Sequence, residues 1–505
     1  MGTITDKLNK LAETKSAIKT AIVNKGVAVS DSDTFASYAN KIASIEGGSA
    51  HEFDFTVLGY DEEECREANE VANIMIASGY TVEDINRSID YSVKLYTGSA
   101  SGYINSNNIQ AYFHPKKSVN QYASDIRVKY IPKVSYSNNP SSIASLIKIG
   151  TPLNLDTLSS FSFSGSISLI DIPELDTSNF TSFSSMFNNC ISLNVDREVI
   201  FNAAKATDFS NMFNKSGYIK KVTFTNTSGV TDFNNMFYYS RVNEVSGIDF
   251  TNRDVPSSAN SLTFNYSHIQ TISNVKAPEN AVYLFRDAKD LKNIYNLDTS
   301  NTTNFEEMFY ECRRLQQIPE IDTSKGTNFD SMFYKCYNIT SLPQLDTSSG
   351  TKFYNMFEDC QVLESIPQLD TSKGTNFSYM FSECPELIKV SSLSLKSLNT
   401  TISQLYFTGY SNMTKLRYVL LKDFGTGSDC TSASFIKWPN WGKEDETIPL
   451  SAGARQSLID TLITYSYDRA TAGYSTCTVT LHSDTKALLT ENEIAQMTAK
   501  GYTLA

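Results

Sequence analysis

Four of the eight cysteines, Cys312, Cys336, Cys360 and Cys384, stand 24 residues apart. Sulfur at a fixed step first suggests metal binding or disulfides. Zinc needs clustered ligands at C-x-x-C or similar spacing; no cysteine pair has it, and His51, His114, His268 and His482 are scattered singly. Ser166, Ser216 and Ala288 fill the same slot elsewhere, which suits small buried side chains rather than ligands. A second row consists of Asp176, Asp298, Asp322, Asp346 and Asp370, each followed by Thr-Ser. Aligned carboxylates could hold calcium, but Asp in this setting more often folds back on local N–H groups as an Asx turn, and the turn is the expectation here. Glycoside cleavage would need two carboxylates across a cleft, one with a raised pKa. The acids instead fall in repeated registers, and G-x-S-x-G, H-E-x-x-H and P-loop motifs do not occur. No catalytic, metal-binding or cofactor-binding residue is expected, so the chain reads as a non-enzyme.

Residues able to recognise a partner remain. Glu311, Lys335 and Asp359 alternate in sign at the repeat step, most simply as a solvated stabilising row, and Tyr310 and Tyr334 stack beside it. Gln317, Ser341 and Ser365 should point outward, as should Glu320, Gln344 and Gln368. Such a polar face, bearing Gln and Tyr, could bind glycan or protein. Trp438 and Trp441 flank Pro439-Asn440; exposed, they would form a carbohydrate platform, and buried, they would pack a cap, the more common fate of Trp.

These residues are positioned by an internal repeat. Leu297-Asp298-Thr299-Ser300 returns at 321, 345 and 369 as (Ile/Leu)-Asp-Thr-Ser, and Met-Phe pairs keep the same step at 308/309, 332/333, 356/357 and 380/381. Pro319, Pro343 and Pro367 complete the unit, and weaker copies anchored on Phe163, Phe187, Phe213, Phe285 and Phe407 extend it to about eleven turns between roughly 155 and 425. The L-x-x-I-P-x-L part predicts a strand in a stacked parallel sheet, roughly 50 Å long at about 4.8 Å per turn. Phe305, Met308 and Phe309 at i, i+3 and i+4 predict one or two helical turns, with Thr303/Glu306 and Thr327/Asp330 as capping boxes. No turn can bury its apolar edge alone, so Phe, Met, Cys, Leu and Ile should form continuous ladders.

The ends differ from the repeat. Leu8, Leu11, Ile18 and Ile22 share a helical stripe with Ile4, closed by Gly26. In the 51–150 segment, Asp61 should cap a helix ending at Gly79, and Thr81 should open another carrying Ile85, Ile89 and Val93; strands are expected near 109–113 and 126–131. The tail predicts a helix over 452–465, a strand over 476–481, a Thr490/Glu493 capping box and a stop at Gly501. The chain thus divides into a helical module at 1–50, an α/β spacer or cap at 51–150, a solenoid at 151–425 and an α/β cap at 426–505. Its fold class is an α/β repeat solenoid, leucine-rich-repeat-like, with a parallel sheet.

Charged residues make up 19% of the chain, against roughly 25% on average, and the formal net charge is −12. Without a basic stripe, a nucleic-acid partner is not expected. No apolar run is long enough to span a bilayer, and the first residues carry no signal-peptide core, which predicts a chain made in a cytoplasm and neither exported by the general route nor anchored by itself.

The unit N-x-F-x-x-M-F-x-x-C-x-x-L-x-x-I-P-x-L-D-T-S resembles the BspA-like leucine-rich repeats of bacterial surface proteins and mycoplasma lipoprotein-type repeat families. That resemblance implies a parallel-sheet solenoid and adhesion rather than catalysis. The run from Ala12 through Val27 and then Phe35 to Ile42 resembles the N-terminal module of phage tail and fibre proteins. It implies docking of residues 1–50 to another virion protein, with a homotrimer as one mode of assembly. The segment from Leu489 to Tyr502 resembles C-terminal segments of similar phage repeat proteins. Together these imply a virion protein, a tail or head fibre or decoration, displaying the solenoid to a host-surface glycan or protein. A bacterial BspA-like adhesin and a phage depolymerase are the alternatives.

Overall fold

A computed structural model describes residues 51–97, 112–113, 129–131, 144–150, 158–254, 262–397, 413–426 and 430–505. The expected attachment helix carrying Leu8, Leu11, Ile18 and Ile22 lies outside these residues, as do Phe407 and most of the strands expected before 131. The chain divides into two compact units, residues 1–116 and 117–505.

In the first unit, α1 (Glu62–Ala77) begins at Asp61, whose carboxylate accepts from Glu64 N–H while the Glu64 side chain accepts from Asp61 N–H. This reciprocal box satisfies two N-terminal donors, and Glu62, Glu63 and Glu64 suit the positive end of the helix dipole. Asn69 and Asn73, one helical turn apart, each exchange two hydrogen bonds with the backbone of Phe53 and His51, standing in for a strand partner. The second helix, α2 (Val82–Thr97), starts after Thr81 as the sequence predicts.

The second unit is a parallel β-solenoid of about 12 turns. Strands β1 (Tyr130–Ile131) and β2 (Lys148–Ile149) pair at its start. Then β3 (Asn194–Asn202), β4 (Tyr218–Thr225), β5 (Arg241–Ser246), β6 (Thr271–Lys276) and β7 (Asn293–Asp298) form one sheet in sequence order. A further pair is β8 (Lys389–Ser394) with β9 (Tyr418–Lys422). Between β7 and β8, in the most regular repeats, the expected strands do not form. There Pro319, Pro343 and Pro367 remove an N–H from every coil, and proline cannot donate to a central ladder. The segment has no regular secondary structure and is tied to its neighbours by occasional bonds, such as Thr340 N–H to Gln316 O at 3.1 Å.

The Phe-Met-Phe segment is also not helical. In the coil at 305–312, Phe305, Glu307, Phe309 and Glu311 donate to Asn328, Asp330, Met332 and Tyr334 of the next coil at 2.8–3.0 Å. The intervening amides of Met308, Tyr310 and Cys312 close three-residue-back turns. Such alternation requires left-handed residues, and Glu307 and Glu311 have φ of 53° and 55°. A helix would spend all of these amides internally; here half of them bind the neighbouring coil. The expected capping boxes are absent, since Glu306 N–H donates to Asn304 Oδ1 and Asp330 N–H to Asn328 Oδ1, while the Thr303 and Thr327 hydroxyls bond to the preceding coil.

Side chains stack inside as the period predicts. Ten phenylalanines, from Phe163 through Phe187, Phe213, Phe237, Phe264, Phe285, Phe309, Phe333 and Phe357 to Phe381, form one column with ring centroids 5.5–5.8 Å apart. A second column joins Phe305, Phe329, Phe353 and Phe377 at 5.4–5.7 Å. Gly350 is set by this column, because a Cβ there would lie 2.6 Å from the Phe353 ring and 3.0 Å from that of Phe329. The buried hydroxyls of Thr299, Thr323, Thr347 and Thr371 each donate to a carbonyl one coil on, at 2.8–2.9 Å.

The tail packs β10 (Ser432–Phe435), β11 (Cys477–Leu481) and β12 (Tyr502–Leu504) in parallel, with α3 (Ala454–Ile459), α4 (Ser483–Lys486) and α5 (Glu491–Ala499). A wide turn over Asp460–Thr464 continues α3, with Leu458 and Leu462 inward. The Thr490/Glu493 box is present, and Gly501 adopts φ 87°. Arg469, fully buried, donates to Ser475 O and Gly425 O and so holds the loops of this cap.

Phe333→Ala should cost roughly 3–5 kcal/mol in denaturant unfolding, the usual loss for a buried ring. Thr347→Val, which keeps the shape and removes one bond while stranding a carbonyl, should cost about 1 kcal/mol. A neutral Phe333→Ala would contradict the column.

Candidate binding surface

The cysteine row is buried and reduced, and its thiols do specific work. Cys190, Cys312, Cys336, Cys360 and Cys384 donate to the carbonyls of Phe163, Phe285, Phe309, Phe333 and Phe357, one coil back, at 2.9–3.2 Å. Burial pushes the Cys190 and Cys384 thiols up to about 12 and raises those of Cys312, Cys336 and Cys360 as well. At neutral pH they are neutral donors rather than nucleophiles or metal ligands. Ser216 and Ser240 occupy the same slot and share a hydrogen bond at 3.0 Å.

The aspartate row forms Asx turns. Asp176, Asp298, Asp322, Asp346 and Asp370 each accept from the N–H two residues on at 2.9–3.0 Å. The Ser300 and Ser324 hydroxyls, followed by their N–H groups, hold Asp298 and Asp322 below the ordinary carboxylate value, and the Ser372 N–H does the same to Asp370. These oxygens are committed locally, and no metal-sized cluster of His, Cys, Asp or Glu occurs among the described residues.

Tyr310 and Tyr334 stack as the sequence suggests, with centroids 4.5 Å apart. Arg286 of the preceding coil lies 4.1 Å from the Tyr310 ring centre, and the Lys335 ammonium lies 5.0 Å from that of Tyr334. Burial lifts the Tyr310 hydroxyl to about 12. Glu311 gathers Lys289, Arg313 and Lys335 within 4.0 Å. The two rings therefore belong to a cation–tyrosine stack along the coil edge that covers much of their faces.

Gln317, Gln344 and Gln368 are exposed, as are Glu320 and Ser341. The Gln344 amide bridges to Gln368 O at 2.6 Å and Leu345 O at 3.2 Å, so part of its polarity fastens one coil to the next. Trp438 and Trp441 do not form a platform. They are 4% and 0% exposed, pack edge to face 5.2 Å apart against Phe435, and Trp441 Nε1 donates to Val419 O at 3.2 Å. Buried indoles offer no face to a sugar; these two close the C-terminal cap.

One residue missed from the sequence belongs to the exposed face. Tyr295 projects from β7, paired in register with Ser273, and is 55% exposed, with no ring or cation packed on it among the described residues. Beside it Asn296 Nδ2 donates to Asn274 Oδ1 at 2.9 Å, and Asn274 also donates to Ser246 Oγ. Its signal was the Ile294-Tyr295-x-Leu297 pattern, which sets Tyr295 outward where the next coil places Pro319.

Fold and surface define a parallel β-solenoid repeat protein whose exposed face is polar and carries an open tyrosine. Residues 159–250, 259–342 and 279–394 match the family described as Mycoplasma protein of unknown function, DUF285; match and solenoid together fit a BspA-like repeat protein. No curated protein matches the chain.

Above the ordinary aspartate value of about 3.9 the turns of Asp298, Asp322 and Asp370 contribute their full stability, and it is lost as pH falls through their depressed folded values. The melting temperature should therefore drop between about pH 4 and the onset of acid unfolding. Asp322→Asn/Asp370→Asn, which keeps the acceptor oxygens, should drop less steeply. EDTA should leave melting unchanged; a loss of several degrees would restore the calcium reading.

Proposed function

We propose that the chain is a non-enzymatic adhesion protein whose solenoid offers its polar face to a glycan or protein on a cell surface. The observation that carries this reading is Tyr295, an open ring on a rigid sheet, in a molecule whose phenylalanine columns are internal. Around it lie side-chain amides and hydroxyls, Asn274, Asn296 and Ser273, and further along the repeats Gln317, Gln344 and Gln368. Rings with amides at their edges suit ligands that combine apolar C–H faces with hydroxyl or peptide groups. The rigid backing keeps the ordering cost of binding low. That the aspartates are engaged in turns rather than facing one another across a cleft supports binding over hydrolysis.

Two settings are proposed. The resemblance of residues 1–50 to phage fibre modules favours a virion protein, docked through that segment to another virion protein and displayed on a tail or head. The DUF285 match favours a bacterial surface adhesin of BspA-like type. Gold-labelled antibody against the solenoid distinguishes them, decorating either purified virions or intact cells.

For the binding face, the full chain is titrated on intact host cells. Tyr295→Ala should weaken binding at least tenfold without moving the melting temperature, and Gln317→Ala/Gln368→Ala should weaken it less. Trp441→Ala should act only through stability. Undiminished binding by Tyr295→Ala would remove the face from consideration, and release of reducing ends from host polysaccharide would replace adhesion with hydrolysis.

A further inference from the structure

Three cysteines stand apart from the ladder, Cys65 in the first unit and two in the C-terminal cap. Cys430 and Cys477 lie in the C-terminal cap with their sulfurs 3.4 Å apart, both buried and neither in a disulfide. Cys477 opens β11, and Cys430 lies two residues before β10. The two strands run side by side in parallel, with Ser432 opposite Thr478 and Thr478 N–H donating to Thr431 O at 2.9 Å. Each ladder cysteine directs its S–H at a phenylalanine carbonyl one coil back; this pair meets sulfur to sulfur.

We propose that Cys430 and Cys477 are a disulfide-forming pair that locks the C-terminal cap in oxidising surroundings and is open in reducing ones. A disulfide needs its sulfurs about 2.05 Å apart and its α-carbons within about 7 Å. Neighbouring strands already meet the second condition, being about 4.8 Å apart. The sulfurs must approach by about 1.4 Å, a side-chain rotation rather than a strand movement. The competing reading, two thiols packed merely as small apolar groups, explains their burial but not their mutual approach.

The chemistry balances with a low-molecular-weight disulfide, such as oxidised glutathione, as oxidant. The Cys477 thiolate attacks one glutathione sulfur and expels the first glutathione thiolate. The Cys430 thiolate then attacks the Cys477 sulfur and expels the second, two protons passing to solvent. Cys477 suits the first step because its hydrogen bond with the Cys430 thiol and the nearby Arg469 guanidinium hold it below the ordinary thiol value. The bond would close a loop from 430 to 477 that contains Trp438, Trp441, α3 and Arg469. The cap core would then stay closed wherever the chain is displayed outside a reducing cytoplasm.

The test holds the purified full chain in glutathione redox buffers of rising oxidised fraction. Thiols are counted after denaturation, and linked peptides are mapped by mass. The count should fall from the eight of the sequence to six, with one link, between Cys430 and Cys477, and the oxidised form should melt higher than the reduced. Cys312→Ser should still lose two thiols, and Cys477→Ser should lose none. Retention of eight thiols, glutathione trapped on either residue, or a link through a ladder cysteine would overturn the proposal; the wild-type map decides even if a variant fails to fold.

Discussion

Everything in the solenoid follows from one constraint: a coil of this chain cannot satisfy its own backbone. Phe305, Glu307, Phe309 and Glu311 give their amides to the next coil, and Phe329, Ser331, Phe333 and Lys335 repeat the arrangement 24 residues on. Left-handed conformation at non-glycine residues such as Glu307 and Lys335 is unfavourable by about 1 kcal/mol or more each. Turning every second amide outward toward a neighbour offsets it. The phenylalanine columns, the threonine hydroxyls and the cysteine thiols all serve the same join, each reaching one coil forward or back. A coil without a neighbour would expose a row of donors and an apolar end, which explains why the tail folds into a cap of three strands and a buried tryptophan pair.

The sequence carried the period and the core openly, because stacking demands the same side chain at the same step, and Phe309, Phe333 and Phe357 can be aligned by eye. It did not carry the local backbone. Spacing of i, i+3 and i+4 serves a helix and equally a run of turns whose even amides fold back while the odd ones reach across. What separates them is φ at Glu307 and Glu311, which neither residue type announces. Likewise L-x-x-I-P-x-L alternates like a strand, yet its proline removes the donor that would have made the ladder continuous. The coils lacking that proline, at β3 to β7 and again at β8 and β9, form the ladder.

The surface was less legible than the core. The Asx turns were written in Asp-Thr-Ser, since a short side chain bonds its own backbone whatever surrounds it. The second role of the threonine, bonding across coils, needed a neighbour to be seen. Tyr310 and Tyr334 stack as their spacing suggests, but Arg286, from a coil that breaks the consensus, covers one of them. Tyr295 is open because its coil departs from the pattern. The open ring sits where the repeat is imperfect, and imperfection has no period by which to find it.

Because the coils from 305 to 359 use the same bonds at the same places, one whole unit is interchangeable with the next. A slipped duplication of seventy-two bases in the coding DNA would insert another storey, and a matching deletion would remove one, with the floors above and below still meeting. The height of the structure can therefore drift between descendants without passing through a misfolded ancestor.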